Sequence, residues 1–361
     1  MKKALVTGAT GFIGRNIAKA LAQQDYQVFA LVRPTHSELP EERIKKILGN
    51  TPIEVIEGDV TILGLDLSQG IENYLTKNID EVWHCAGCTV FDESRRDEVH
   101  AVNVNGTQNI LDFCRKVPNL SHLNYISTAF VAGNRQGLVL EDELDLDQGF
   151  FNPYEQSKFE AEMLVRHASV PSIVYRPSVV VGNSQTGETS CFRMIYGPWR
   201  GVYLARELVL RKGKPEYREG KLVVPLRAIG NDDVTLNIIP IDSAVGLMLE
   251  LNNAENFGKT FHITNPEPTT LGFLREMINQ ELNVTGTCYI SSFPQDAPPN
   301  RVEEMFLRRT RPYQHYMLNN DPLFDQTNLF AASPTTQIPE PHQHLIRTLI
   351  HYAIEANWGR K

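Results

Sequence analysis

Thr7-Gly8-Ala9-Thr10-Gly11-Phe12-Ile13-Gly14 follows the apolar run Ala4-Leu5-Val6 directly and opens an amphipathic segment. Gly8 permits a tight strand-to-helix turn, Gly11 lets the backbone approach a pyrophosphate, and Gly14 allows close packing of the helix. The helix N-terminus then presents unpaired N–H groups and the positive end of its dipole to phosphates. Three glycines at this spacing also occur in flexible turns, but here strand, loop and helix come in the required order. Gly8, Thr10, Gly11, Phe12, Ile13 and Gly14 are therefore expected to hold a dinucleotide.

Outward from this loop, short β-like runs alternate with longer amphipathic segments. Strands are expected near 4–7, 27–33, 53–57, 81–85, 122–127 and 172–176, and helices near 11–24, 38–48, 92–116 and 154–169. The alternation predicts an α/β fold, a doubly wound parallel Rossmann-type sheet with a smaller mixed C-terminal substrate-binding region. In the helix at 154–169, Phe159, Met163, Leu164 and Val165 form the expected apolar face, against charged Glu160, Glu162 and Arg166. Residues 1–182 are read as the cofactor-binding core, with a returning segment near 235–265. Residues 183–361 are read mainly as a substrate-binding cap. Within the cap, the proline-rich stretch 290–340 predicts long loops. Leu345, Ile346, Leu349, Ile350 and Ile354 predict a closing helix near 342–358.

The chain has 361 residues, 42% hydrophobic and 22% charged, which suits a soluble protein with a large core. A net charge of −8 argues against a general nucleic-acid or anionic-membrane binder. No apolar stretch is long enough to span a bilayer, and no secretory leader is read ahead of Ala4. Five cysteines are too few for a disulfide scaffold, and a reduced cytoplasm is the expected setting. Oligomeric state is not legible.

The second strand ends Leu31-Val32-Arg33-Pro34. A site for NAD usually places an acid there to accept from the ribose 2′-OH. Arg33 instead suits a 2′-phosphate, with Arg15 or Lys19 able to share the role, so NADP(H) is expected over NAD(H). Asp59, followed by Val60 after the third strand, reads equally as an adenine contact and as a cap for the following turn.

Asn152-Pro153-Tyr154-Glu155-Gln156-Ser157-Lys158 enters a helix, and four-residue spacing puts Tyr154 and Lys158 on one face. A nearby ammonium stabilises the phenolate, so that a tyrosine of ordinary pKa near 10 becomes a usable acid at neutral pH. Tyr-x-x-x-Lys is common by chance. It gains weight from lying beyond Ser127-Thr128 at a strand exit.

With His84-Cys85-Ala86-Gly87, Asn103-Val104-Asn105-Gly106-Thr107 and Arg176-Pro177-Ser178, these motifs resemble the extended short-chain dehydrogenases/reductases. The resemblance implies a Thr128–Tyr154–Lys158 triad, with Asn103 as a proton-relay member or as a tie between helix and backbone. It also implies that Lys158 holds the nicotinamide ribose, that Cys85, Ala86 and Gly87 lie against the cofactor, and that Pro177 and Ser178 meet the carboxamide. Tyr125-Ile126-Ser127-Thr128-Ala129-Phe130-Val131, Asn237-Ile238-Ile239-Pro240-Ile241-Asp242 and Phe324–Asn328 look closer to the fatty acyl-CoA reductases and to thioester-reductase domains. That branch implies NADPH-dependent reduction of an acyl thioester, on coenzyme A or on an acyl-carrier protein as partner. Two other readings remain: a reductase or epimerase of sugar nucleotides, sterols or other carbonyls, and an NADP(H)-sensing regulator. Ala129-Phe130 after Thr128 disfavours dehydratase chemistry, which needs an acidic pair there.

Cys85-x-x-Cys88 lacks a second pair for zinc or a redox context, and no metal site is expected. His100, His122, His342, His344 and His351 read as surface or locally bonded. The acidic run 141–147 reads as a solvated loop. Arg206, Arg211, Lys212, Lys214, Arg218 and Lys221 form a basic segment suited either to coenzyme A phosphates or to solvent. Arg33→Ala is expected to raise KM for NADPH about tenfold while leaving NADH little changed. An unchanged NADPH KM would move the 2′-phosphate contact to Arg15 or Lys19.

Overall fold

The computed structural model describes every residue except His36, Ser37, Leu146, Lys212, Lys214 and Lys361. Lys212 and Lys214 of the basic segment, and Leu146 of the acidic run, thus lie outside the described residues. Chain order begins with β1 (Lys3–Thr7), α1 (Phe12–Gln23), β2 (Gln27–Val32), α2 (Pro40–Leu48), β3 (Ile53–Glu57), α3 (Gln69–Asn78) and β4 (Glu81–His84). Next come α4 (Arg96–His100), a π-helical turn at Ala101–Asn105, α5 (Gly106–Arg115), β5 (His122–Ile126), β6 (Leu138–Val139), α6 (Pro153–His167) and β7 (Ser172–Pro177).

The chain then builds β8 (Val179–Val181), α7 (Tyr196–Arg211), β9 (Tyr217–Arg218), β10 (Lys221–Ile229), β11 (Thr235–Leu236) and β12 (Ile238–Pro240), followed by α8 (Ile241–Glu250) and β13 (Thr260–Ile263). The remainder is β14 (Thr269–Thr270), α9 (Leu271–Glu281), β15 (Val284–Ile290), α10 (Arg301–Thr310), α11 (Gln314–Leu318), β16 (Leu323–Phe324), α12 (Thr327–Ala332) and α13 (Gln343–Glu355).

Two compact units result. Unit 1 contains Met1–Ser178, Ile241–Thr264 and Pro322–Gln337. Its seven-stranded sheet has the order β13-β7-β5-β4-β1-β2-β3, with every pairing parallel. Parallel strands need crossovers, and the helices between them supply the two apolar layers of a doubly wound sheet. One core cluster packs Leu5, Phe29 and Leu123 of the strands against Leu75 of α3 and Ala161 and Val165 of α6. After β3 the chain crosses back to the other side of β1, so the order reverses between β1 and β4. Such a reversal opens a crevice at the carboxyl ends of the strands.

Unit 2 contains Val179–Pro240, Asn265–Asp321 and Ile338–Lys361. It carries a β15-β10-β9 sheet, parallel between β10 and β15 and antiparallel at β9, with the small pairs β12-β8 and β11-β14. Tyr196, Trp199, Leu274, Phe306 and Met317 are buried in its core.

Three expectations need correction. Residues 290–340 are not loop throughout: α10, α11 and α12 interrupt them, with irregular chain left at 291–300 and 333–342. The side chain of Asn300 accepts from the N–H groups of Val302 and Glu303, and Glu303 accepts from the Asn300 N–H. This reciprocal cap starts a helix despite the neighbouring prolines. The segment Pro322–Gln337 belongs to unit 1 rather than to the cap, because β16 pairs with β6 and Asn328 is bonded to Glu141. The third correction concerns α6. Phe159, Met163 and Leu164 are only half-buried, whereas Lys158, Ala161, Glu162 and Val165 face inward.

Glu162 is fully buried. It accepts from Arg176 at 2.7 and 3.1 Å, from Arg166 at 3.0 Å and from the Ser127 hydroxyl at 2.5 Å. Burial raises its pKa, but the guanidinium of Arg176 outweighs this and holds the carboxyl below its usual range. Removing one partner strands the buried Arg176 charge. Glu162→Ala is therefore expected to destabilise unit 1 by about 3–5 kcal/mol. Replacing Glu162 and Arg176 together by methionine should recover most of that loss. Urea denaturation measures both, and a Glu162→Ala loss below about 1 kcal/mol would contradict the assignment.

Candidate active site

The glycine loop lies at the β1 side of the reversal. Gly8 has φ +69°, and a Cβ there would sit 2.6 Å from the backbone N of Ala86. A Cβ on Gly14 would sit 2.3 Å from the Gly8 carbonyl oxygen. Both glycines are thus required by close backbone approach, and the first ties β1 to the exit of β4. Gly11 is exposed at the start of α1, where no side chain caps the helix and the first turn holds no acid. Its open N–H groups suit a pyrophosphate. Thr10, Phe12 and Ile13 flank it, half-exposed.

Arg33 is 62% exposed at the end of β2, with its Nε 4.0 Å from Asp59. Asp59 Oδ1 accepts from both the N–H and the hydroxyl of Thr61. Of the two roles open to it in the sequence, the described geometry supplies the turn cap. The Val60 carbonyl accepts from Asn109, and Gly106 is small enough for Val60 to pack against α5.

At the exit of β4, Ala86 N–H donates to Thr7 Oγ1 at 3.1 Å. Asn103, in the π-helical turn, brackets Cys88: its amide donates to the Cys88 carbonyl and its oxygen accepts the Cys88 N–H at 2.7 Å. The same amide reaches Ser157 of α6 at 2.8 Å. This arrangement makes Asn103 a tie between the loop after β4 and α6. Burial pushes the Cys85 thiol up, which suits a packed thiol rather than a nucleophile.

Pro153 and Asn152 start α6, with Asn152 Oδ1 accepting from the Glu155 N–H at 3.0 Å. Tyr154 is half-exposed and stacks on Phe91 with ring centroids 5.6 Å apart. One turn on, Lys158 is buried and its ammonium donates to the Ile126 carbonyl and to the Tyr125 hydroxyl, both at 2.7 Å. Burial pulls its pKa down to about 7, opposed by Glu162 and Cys85. Thr128 leaves β5 in extended backbone, two residues after Ile126 and next to Ser127, which donates to Glu162. The inner face of α6 is thus bonded to the two residues immediately before Thr128.

Thr128 Oγ1 donates weakly to the Pro177 carbonyl at 3.4 Å. Beyond Pro177, the Ser178 hydroxyl is buried with no partner, as is that of Thr264 after β13. Unpaired buried hydroxyls are costly. At Ser178, where the motif implies a carboxamide, the orphan fits a bound nicotinamide.

Elsewhere the acidic run is not wholly solvated. Glu141 is buried, accepting from the N–H groups of His262 at 2.8 Å and Asn328 at 2.5 Å. Burial raises its pKa to about 7 against those two bonds. In the basic segment, Arg206 is engaged by Glu207 and the Leu282 carbonyl, and Arg218 lies 3.9 Å from Glu216. Tyr125, His84 and Thr107, quoted in the sequence only as parts of longer motifs, and Glu162, expected on the charged face of α6, are all buried.

Fold and site geometry together define the class: an NAD(P)-binding oxidoreductase of the extended short-chain dehydrogenase/reductase type. Comparison with known proteins narrows it. Residues 6–248 match the male sterility protein family, and the chain belongs to that family. It is 26% identical over 292 residues to a fatty acyl-CoA reductase 1 of Gallus gallus, covering 69% of this chain and 54% of that protein. It is 27% identical to a 2-alkyl-3-oxoalkanoate reductase of Stenotrophomonas maltophilia, covering 79% of this chain and 76% of that one. The chain spans about half the length of the fatty acyl-CoA reductases it matches. Among solved structures, the terminal R domain of the myxalamid PKS-NRPS pathway shares the fold, with TM-score 0.80 and 24% identity. That likeness covers 99% of this chain and 92% of the R domain. Among the described residues, no helix is long and apolar enough to cross a membrane.

Gly8→Ala tests the cradle. Its added Cβ meets the Cys85–Ala86 peptide at 2.6–2.7 Å, so nicotinamide-cofactor binding, followed by protein fluorescence quenching, should weaken at least tenfold. Affinity equal to that of the unaltered chain would contradict the close approach between β1 and β4.

Proposed function

We propose that this chain uses NADPH to reduce an acyl thioester, carried on coenzyme A or on a carrier protein, to an aldehyde or alcohol. The observation that carries the reading is the anchoring of Lys158 one turn below Tyr154, against the strand end that delivers Thr128. The substrate class is supported by the fatty acyl-CoA reductases among its relatives and by the fold it shares with a terminal R domain. The preference for the phosphorylated cofactor rests on Arg33 at the end of β2, where an acid would repel a 2′-phosphate.

The bound nicotinamide supplies the hydride. Thr128 and Tyr154 donate hydrogen bonds to the thioester oxygen as negative charge grows on it. Lys158, as an ammonium, favours the phenolate left when Tyr154 gives up its proton, and it binds the ribose. A proton and a hydride added to the carbonyl give a hemithioacetal, whose collapse breaks the C–S bond and releases aldehyde and free thiol. Where the reaction goes on to the alcohol, a second NADPH, exchanged for the spent cofactor, would supply the hydride for the aldehyde. This route needs no acyl-cysteine, in keeping with a Cys85 thiol that stays protonated.

A second reading, reduction of a ketone on an alkyl chain by the same residues, is favoured by the more even coverage of the 2-alkyl-3-oxoalkanoate reductase. Loss of NADPH absorbance with acyl-CoAs, carrier-bound thioesters, 3-oxoalkanoates, aldehydes and nucleotide sugars separates the readings. Thioester turnover with stoichiometric free thiol is the expected outcome, and turnover of 3-oxoalkanoates or nucleotide sugars alone would overturn it. Tyr154→Phe should lower kcat about 10²- to 10⁴-fold with cofactor affinity kept. Full rate in that variant would remove Tyr154 as the acid.

A further inference from the structure

Lys158 is held by a buried polar chain that runs across three strands. Its ammonium lies 2.7 Å from the Tyr125 hydroxyl and 4.2 Å from the centre of that ring. Behind Tyr125, the phenol faces Thr107. Thr107 Oγ1 also lies 3.1 Å from His84 Nε2, and His84 Nδ1 lies 2.8 Å from Thr7 Oγ1, which accepts the Ala86 N–H. All four side chains, Tyr125, Thr107, His84 and Thr7, are at most 1% exposed.

Donor and acceptor accounting fixes the direction of this chain. Thr107 spends its own proton on the Asn103 carbonyl at 2.6 Å, so it can only accept from its other neighbours. His84 Nε2–H therefore points at Thr107, and His84 Nδ1 accepts from Thr7. Burial, then the charge of Lys158, lowers the His84 pKa to about 3, which keeps the ring neutral as this assignment requires. An ammonium has only donors, so the Tyr125 oxygen faces Lys158 as the acceptor. Burial raises the Tyr125 pKa well above its usual value, so that acceptor is a neutral phenol.

We propose that Tyr125 is a positioning residue for Lys158: its buried phenol oxygen accepts from the ammonium and holds it charged on the inner face of α6. The proposal rests on Tyr154 and Lys158 being the working pair. Tyr125 and the Ile126 carbonyl occupy two of the three ammonium protons and leave the third for the cofactor ribose. The titratable groups around Lys158 are Glu162 and Tyr154 on α6, Cys85 and His84 at the end of β4, and Tyr125 on β5. Glu162 is committed to Arg176, Arg166 and Ser127. Tyr125 is therefore the neutral side-chain contact whose removal changes the ammonium without changing any charge.

The test is the pH titration of the Lys158 side chain by ¹³C/¹⁵N NMR in the cofactor-free protein, with the resonance assigned by its loss in Lys158→Arg. Tyr125→Phe should lower the titration midpoint by about one pH unit, the loss of one hydrogen bond to a buried charge. Thr107→Val, which removes the polar neighbour behind the phenol, should shift it in the same direction by less, and Thr107→Ser should restore it. If Tyr125→Phe does not fold, the Thr107 pair decides the matter. Midpoints unchanged in all the folded variants would overturn the proposal.

In turnover, the alkaline limb of kcat/KM should move down by a similar amount in Tyr125→Phe. The ammonium form that supports Tyr154 is then lost at lower pH. A merely structural role would lower the rate equally at every pH. The NMR shift seen in a protein that reduces no thioester would sink the proposed substrate and leave Tyr125 standing. Thioester reduction with no shift would do the reverse.

Discussion

The molecule depends most on how α6 is fastened to the sheet. A helix that lies on a parallel sheet normally buries an apolar stripe. This one buries a carboxylate and an ammonium four residues apart. Glu162 is locked by Arg176 from β7 and by Ser127 from the end of β5, and Lys158 is bonded to Ile126 and Tyr125 of β5. Directional bonds of this kind fix the helix along its axis and about it, which apolar contact alone does not. Tyr154 sits one turn before Lys158, so its place relative to Thr128 follows from these bonds. Much of the stability of the arrangement is conditional, because a buried charge without its partner is worse than none.

The cofactor edge is organised by a different constraint, the approach of backbone to backbone. Gly8 and Ala86 touch where the sheet order reverses, and Gly14 closes on the Gly8 carbonyl. The uncapped start of α1 and the unpartnered Ser178 hydroxyl leave donors unsatisfied along the same carboxyl edge of the strands. Groups left unpaired in an otherwise well-satisfied interior indicate where a ligand completes the structure.

What the sequence revealed was local. The glycine loop is legible because turn geometry and close approach demand glycine within eight residues. The Tyr154/Lys158 pair is legible because helical spacing puts both on one face and Ser127-Thr128 comes before them at a strand exit. The parallel sheet follows from the alternation of strand and helix. The fate of Glu162 was not legible, since its partner Arg176 lies fourteen residues away on a strand. Glu141 looked like part of a solvated acidic loop for the same reason: its partners are backbone groups of residues 262 and 328. At 290–340 the prolines were overweighted against the Asn300-x-x-Glu303 cap, a signal present in the residues themselves. Asp59 had two readings of equal standing, and its bonds to Thr61 bear on the turn cap alone.

The central claim is that Thr128, Tyr154 and Lys158 direct a hydride onto a thioester carbonyl. A single turnover with NADPH carrying deuterium at the transferred C4 position, followed by mass spectrometry of the products, tests it most directly. One deuterium is expected on the carbonyl carbon of the aldehyde, with one equivalent of free thiol released. Thiol released with deuterium absent from the aldehyde, or deuterium appearing on a carbon other than the thioester carbonyl, would contradict it.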